Sequence, residues 1–120
     1  MMMFASPSYA EWTEVSKSVD GDTYYVDVER IRKHGGYVYF WYLNDYLEPT
    51  KYGHLSSKNY NQGDCKLVRY KFLSSSFHKE PMGEGTGEIV TPTGKSANWY
   101  YPSPNSVFEI TLKRVCEYAN

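Results

Sequence analysis

Net charge, cysteine, clustered histidine and long apolar runs are all scarce in this 120-residue sequence. Lys and Arg number 13 against 14 Asp and Glu, for a net charge of −1. No run of one sign compensates locally, so the chain has no field to hold nucleic acid or an anionic membrane surface. No apolar run approaches the roughly 18 residues of a transmembrane span. His34, His54 and His78 stand too far apart to form a local metal motif, so no metal site is expected. Gly83, Gly85 and Gly87 lead into the β-like Glu88-Ile-Val and not into a helix, which argues for a hairpin loop over a phosphate cradle. The serine clusters at Ser56-Ser57 and Ser74–Ser76 have no nucleophile-elbow context, and no acid pair stands at a spacing that implies joint work on one bond. No catalytic constellation emerges, and the expectation is a protein that is not an enzyme. There is no internal repeat, and 120 residues leave room for one core, so residues 11–120 are expected to form a single domain.

What is abundant is aromatic. Phe, Trp and Tyr make up 18% of the chain, and 13 of these residues are tyrosine. With a mean hydropathy of −0.63, the apolar area has to be concentrated on a few strand faces and one helix face. Tyrosine suits that need because it buries a ring and keeps its hydroxyl wet.

Only the last stretch, from Ser103 to Asn120, has a helical period. Phe108, Leu112, Val115, Cys116 and Ala119 recur on one stripe, while Lys113, Arg114 and Glu117 fall elsewhere. Ser103-Pro104 is one start signal, and Ser106 with Glu109 three residues on is a capping box one turn later. The stripe turns Cys116 inward, and the only other cysteine, Cys65, precedes the strand-like Lys66–Phe72. A Cys65 to Cys116 disulfide stapling the helix to a sheet follows, the alternative being two buried free thiols. Closing a loop of about 50 residues is worth ~4 kcal/mol on the chain-entropy model.

The remainder reads as strand and turn. Trp12–Ser18 and Asp22–Val28 flank an Asp20-Gly21-Asp22 turn. Glu29–Lys33 is expected to make a short helical turn anchored by Ile31, and His34-Gly35-Gly36 then reverses the chain. The most apolar strand is Tyr37–Leu43. Val38, Phe40 and Tyr42 share one face and are expected beneath the helix; Tyr37, Tyr39 and Trp41 share the other with Leu43 and must meet loops, a second subunit or a ligand. These three rings are the candidate binding or dimer face. Asn44–Gln62 reads as irregular around a short strand at His54–Ser57. From Cys65 the alternation conflicts: a cysteine facing the helix would put Leu67, Arg69 and Lys71 inside, unless a bulge follows it or it sits just ahead of the strand. Glu88–Thr91 and an edge segment at Asn98–Tyr101 complete the set. At the N-terminus, residues 1–10 end with Ser8 and Ala10 where a signal peptidase reads, so they are a signal-peptide remnant or else a disordered tail. Export and a disulfide support each other.

Trp12, Tyr24-Tyr25-Val-Asp27, the Gly36–Leu43 strand with Trp41, Leu55-Ser-Ser57-Lys58, Asp64-Cys65, Arg69-Tyr70, Met82-Gly83, Trp99, Pro102, Ser106 and Cys116 form an ordered set. In this set the sequence resembles the surface-adhesin protein E family, from Glu11 to Cys116. The resemblance implies an α+β fold, a six-stranded antiparallel β-sheet with a C-terminal α-helix tied across its concave face by the Cys65–Cys116 bridge. It also implies a small exported protein of Gram-negative bacteria, periplasmic or on the cell surface, that binds protein partners such as host matrix, self-associates as a homodimer and takes haem. The expected function is therefore a non-enzymatic exported binding or adhesion module. The alternative is a periplasmic carrier of haem, ligated by a histidine or a tyrosine.

Overall fold

The computed structural model describes residues 11–120; the expectation about a signal remnant at residues 1–10 lies outside the described residues. Seven strands form one antiparallel sheet: β1 (Trp12–Lys17), β2 (Thr23–Asp27), β3 (Arg32–His34), β4 (Tyr37–Asp45), β5 (Ser56–Asp64), β6 (Arg69–His78) and β7 (Gly87–Val90). The order is β1-β2-β4-β5-β6-β7, and β3 lies beside β4 at the far end from β2. The short helical turn expected at Glu29–Lys33 is a 3-10 turn at Val28–Arg30, with Arg32 and Lys33 already in β3, and Ile31, between turn and strand, packs against the core as expected. One helix, α1 (Val107–Ala119), covers the inner face.

Of the two start signals for α1, the later one operates. The Ser106 hydroxyl accepts from the Glu109 amide at 3.2 Å, and the Glu109 carboxylate accepts from the Asn105 amide at 2.8 Å, satisfying two amides at the head of the helix. The stripe then lies on the sheet. Leu112 and Val115 are fully buried, and Phe108, Cys116 and Ala119 pack around them. The inner face of β4 supplies Val38, Phe40 and Tyr42, and that of β2 supplies Tyr24 and Val26. Thr111, on the same side of α1, is buried and hydrogen-bonded to Ser16 at 3.2 Å. Phe108 stacks on Tyr70 with centroids 5.7 Å apart and meets Tyr24 and Tyr42 edge-on. Burial pushes the Tyr70 phenol up to about 12.

The Cys65–Cys116 bridge is present, with the two Cα atoms 6.0 Å apart. Cys65 lies in the turn between β5 and β6, just ahead of the strand, so Tyr70 and Phe72 keep the inner face and Leu67 is left exposed. That removes the conflict in alternation. Arg69 donates to the buried Asp64 carboxylate at 2.9 Å, and the amides of Lys66 and Leu67 also bond it. Burial raises the Asp64 pKa, but the Arg69 hydrogen bond and the two amides outweigh it and leave it below the ordinary carboxylate value.

Two further expectations are corrected. Within Asn44–Gln62 only residues 46–55 are irregular: β4 runs on to Asp45, and in place of a short strand at His54–Ser57 stands β5, a nine-residue strand in the middle of the sheet. Its inward positions are Ser57, Asn59, Asn61 and Gly63, all buried, so no apolar alternation announces it. Hydrogen bonding carries this strand instead. Ser75 donates to Asn59 at 2.8 Å, Asn59 donates to Ser57 at 3.2 Å, and Tyr46 donates to Ser57 at 3.1 Å. The segment Asn98–Tyr101 contributes no edge strand, only a single antiparallel bridge of Tyr100 to Tyr70.

Candidate functional site

With α1 on the inner face, alternation along β4 sends Tyr37, Tyr39, Trp41 and Leu43 to the outer one. The loops cover its two ends. At one end, the segment Glu80–Gly85 lies over Leu43: the Gly83 amide donates to Ser56 Oγ at 2.8 Å, Ser56 Oγ donates to the Glu80 carbonyl at 2.6 Å, and the Met82 amide donates to Asp45 at 2.8 Å. Gly83 (φ +68) sits so close that a Cβ there would lie 2.9 Å from the Lys58 stem and 3.0 Å from Leu43. At the other end, the Trp99 ring lies over Tyr37 with centroids 5.4 Å apart. Arg69 and Lys71 stand 4.1 Å and 4.7 Å from the Trp99 centroid in cation–π contact.

Between these ends the rings form a ladder. Trp41 faces Tyr60 across the β4–β5 pair with centroids 4.9 Å apart, and Tyr60 stacks with Tyr39 at 6.4 Å. Tyr37, Tyr39, Trp41 and Tyr60 are all half-buried. The structure thus places all three sequence-predicted residues on one face. The sequence reading missed Tyr60 because β5 itself was not legible.

The reading also missed a groove of about 550 Å³ where the Glu80–Gly85 segment meets the Trp12 end of the sheet. Its lining comes from widely separated parts of the chain. Trp12 pairs with Asp27 in the β1–β2 ladder. Trp41, one residue before the partner of Val26, flanks Asp27 on the other side. Lys58, Arg30 and the loop residues Glu80, Met82 and Glu84 complete the walls. Six residues on which the family resemblance rests line it: Trp12, Asp27, Trp41, Lys58, Met82 and Gly83. Asp27 is only 2% exposed. Burial raises its pKa, and the Arg30 guanidinium 3.5 Å away opposes that rise.

The histidines do not converge, and among the described residues no three His, Cys, Asp or Glu side chains group as a metal site. His34 lies exposed beside the β3–β4 turn. His78 is buried with both ring nitrogens in hydrogen-bond contact, to Ser76 and to the Gly85 carbonyl. His54 lines an open groove, together with Tyr52, Phe77, Lys79 and Glu88.

The structure is similar to Haemophilus influenzae protein E in its crystal form II, with a TM-score of 0.67, 18% identity and complete coverage of both chains. A second crystal structure of Haemophilus influenzae protein E gives a TM-score of 0.64 at 19% identity, covering 97% of this chain and 92% of that one. Among curated proteins none matches. At such identities the likeness concerns the fold: a sheet with one C-terminal helix on its inner face. The family model described as surface-adhesin protein E matches residues 12–117, nearly the whole length, and the chain belongs to that family.

Proposed function

We propose that the protein is a non-enzymatic, exported binding module that meets protein partners, a second copy of itself included, through the outer ladder of Tyr39, Trp41 and Tyr60 flanked by Tyr37. The observation that carries this reading is a central strand with aromatic residues on both faces, only one of which is covered by a helix among the described residues. The uncovered rings are stacked against one another and therefore held in place before any partner arrives. Rigid aromatic area of this kind loses little conformational entropy on association. The bridge supports export to the periplasm or cell surface. A periplasmic haem carrier would draw on His54, with Tyr52 beside it in the same groove, and the stacked outer face supports the binding-module reading better.

Sedimentation velocity of the oxidised protein over a concentration series, with surface binding to purified extracellular-matrix proteins, tests the reading. Tyr39→Ala and Trp41→Ala are expected to weaken self-association or matrix binding about tenfold each while leaving the far-UV spectrum unchanged. A wild type that stays monomeric and binds no matrix protein would remove this reading.

A further inference from the structure

The groove at the Trp12 end of the outer face has a chemistry of its own. Along one row of the sheet, Trp12 on β1, Asp27 on β2 and Trp41 on β4 are successive cross-strand neighbours. Adjacent strands lie about 4.8 Å apart, so the two indoles arise roughly 10 Å from each other on either side of a buried carboxylate. Tyr60 buttresses Trp41 from behind at 4.9 Å. The roof is equally fixed: Ser56 and Asp45 hold Gly83 and Met82, and Met82 itself takes a left-handed backbone (φ 57) that a methionine adopts only when its surroundings impose it.

The charges in the lining nearly cancel. Asp27, Glu80 and Glu84 face Arg30 and Lys58, and Asp27 already has Arg30 at 3.5 Å. A cationic ligand would meet Arg30 and Lys58, and an anionic one would meet the three carboxylates. What remains is a neutral ligand rich in both donors and acceptors, with a flat apolar face for the indoles. A pyranose ring has that character. Its C–H face stacks on an aromatic ring, and its hydroxyls donate to carboxylates and accept from ammonium and guanidinium groups. A groove of about 550 Å³ is within the range of small-ligand sites. We propose that this groove is a binding subsite for neutral saccharides, with Trp12 and Trp41 as stacking platforms, Asp27 and Glu84 as hydroxyl acceptors and Lys58 as a donor.

The test uses the oxidised full-length chain on a glycan array bearing neutral, sialylated and sulfated oligosaccharides, followed by titration of the best neutral glycan against intrinsic tryptophan fluorescence. Saturable binding of neutral glycans with a change in tryptophan emission is expected. Trp12→Ala and Asp27→Asn should each weaken it about tenfold or more, and Trp12→Phe should weaken it less, whereas Tyr118→Ala on the exposed side of α1 should leave it unchanged. Should Trp12→Ala fail to fold, the near-isosteric Asp27→Asn and the conservative Trp12→Phe decide the matter. No saturable binding to any neutral glycan, binding confined to sialylated or sulfated ones, or full affinity in both Trp12→Ala and Asp27→Asn would overturn the proposal. Trp12 lies outside the Tyr37, Tyr39 and Trp41 trio, so glycan binding lost in a Trp12 variant and self-association lost in a Tyr39 variant are separate readouts.

Discussion

Gly63 shows how finely the helix is seated. It lies on the inner face of β5, and a Cβ built there would come 2.8 Å from Leu112, 3.0 Å from Val38 and 3.2 Å from Phe40. Its backbone is ordinary extended strand; what this position demands is the absence of a side chain, because Leu112 of α1 rests directly on it. Gly63→Ala is expected to overpack this contact and destabilise the fold by about 1–3 kcal/mol, as read by urea denaturation. A Gly63→Ala protein as stable as the wild type would mean that α1 slides to make room. Neither this contact nor the Trp12, Asp27, Trp41 row could be read along the chain. Both exist only through strand register, which a single sequence does not state for residues so far apart.

At the scale of elements, legibility followed the side chains. The Tyr37–Leu43 part of β4 and the stripe of α1 were readable because apolar residues recur at periods set by backbone geometry. The strand β5 was hidden because its buried side holds asparagine and serine, and Ser57 and Asn59 are supported there by hydrogen bonds that hydropathy cannot register. The Glu80–Gly85 loop was legible as a turn but not as the roof of a groove, and it also depends on His78. Burial, reinforced by the nearby Lys58 ammonium, holds the His78 pKa below its ordinary value. The neutral ring donates from Nδ1 to the Gly85 carbonyl at 3.3 Å and accepts at Nε2 from the Ser76 hydroxyl at 2.8 Å. Because the folded-state pKa is depressed, this contribution is fully present above the unfolded value of about 6.5 and is lost as pH falls through the lowered one. Amide hydrogen exchange of residues 84–87, corrected for intrinsic rate, should therefore accelerate as the protein is taken from pH 7 to pH 5, while Val38–Leu43 stays protected. Equal protection of the loop at both values would show that Ser56 and Asp45 hold it unaided.

For the molecule as a whole, the question is what keeps a 13-residue helix in place. An isolated helix of that length is marginal in water, so α1 exists because it is docked. Docking uses two attachments of different kinds: the Phe108, Leu112 and Val115 stripe on β1, β2 and β4, and the covalent bridge to the turn after β5. The bridge spans a sequence separation of 51, for which loss of loop entropy in the unfolded chain is worth about 4 kcal/mol. That is a large share of the 5–15 kcal/mol typical of a small domain. Reduction of the exposed Cys65, or a Cys65→Ser/Cys116→Ser double variant, is expected to lower the free energy of unfolding by about 2–4 kcal/mol in urea titrations. The loss should be unevenly distributed, with the amides of α1 exchanging first, because the seven-strand ladder does not depend on the bridge for its hydrogen bonds. The outer face lies on the opposite side of the sheet from α1, so below the lowered midpoint the reduced protein should keep whatever Tyr39, Trp41 and Trp12 bind. An unchanged urea midpoint on reduction would show that the apolar stripe alone seats the helix. Loss of outer-face binding on reduction, with the sheet amides still protected, would show that the two faces are coupled through β4 and β5.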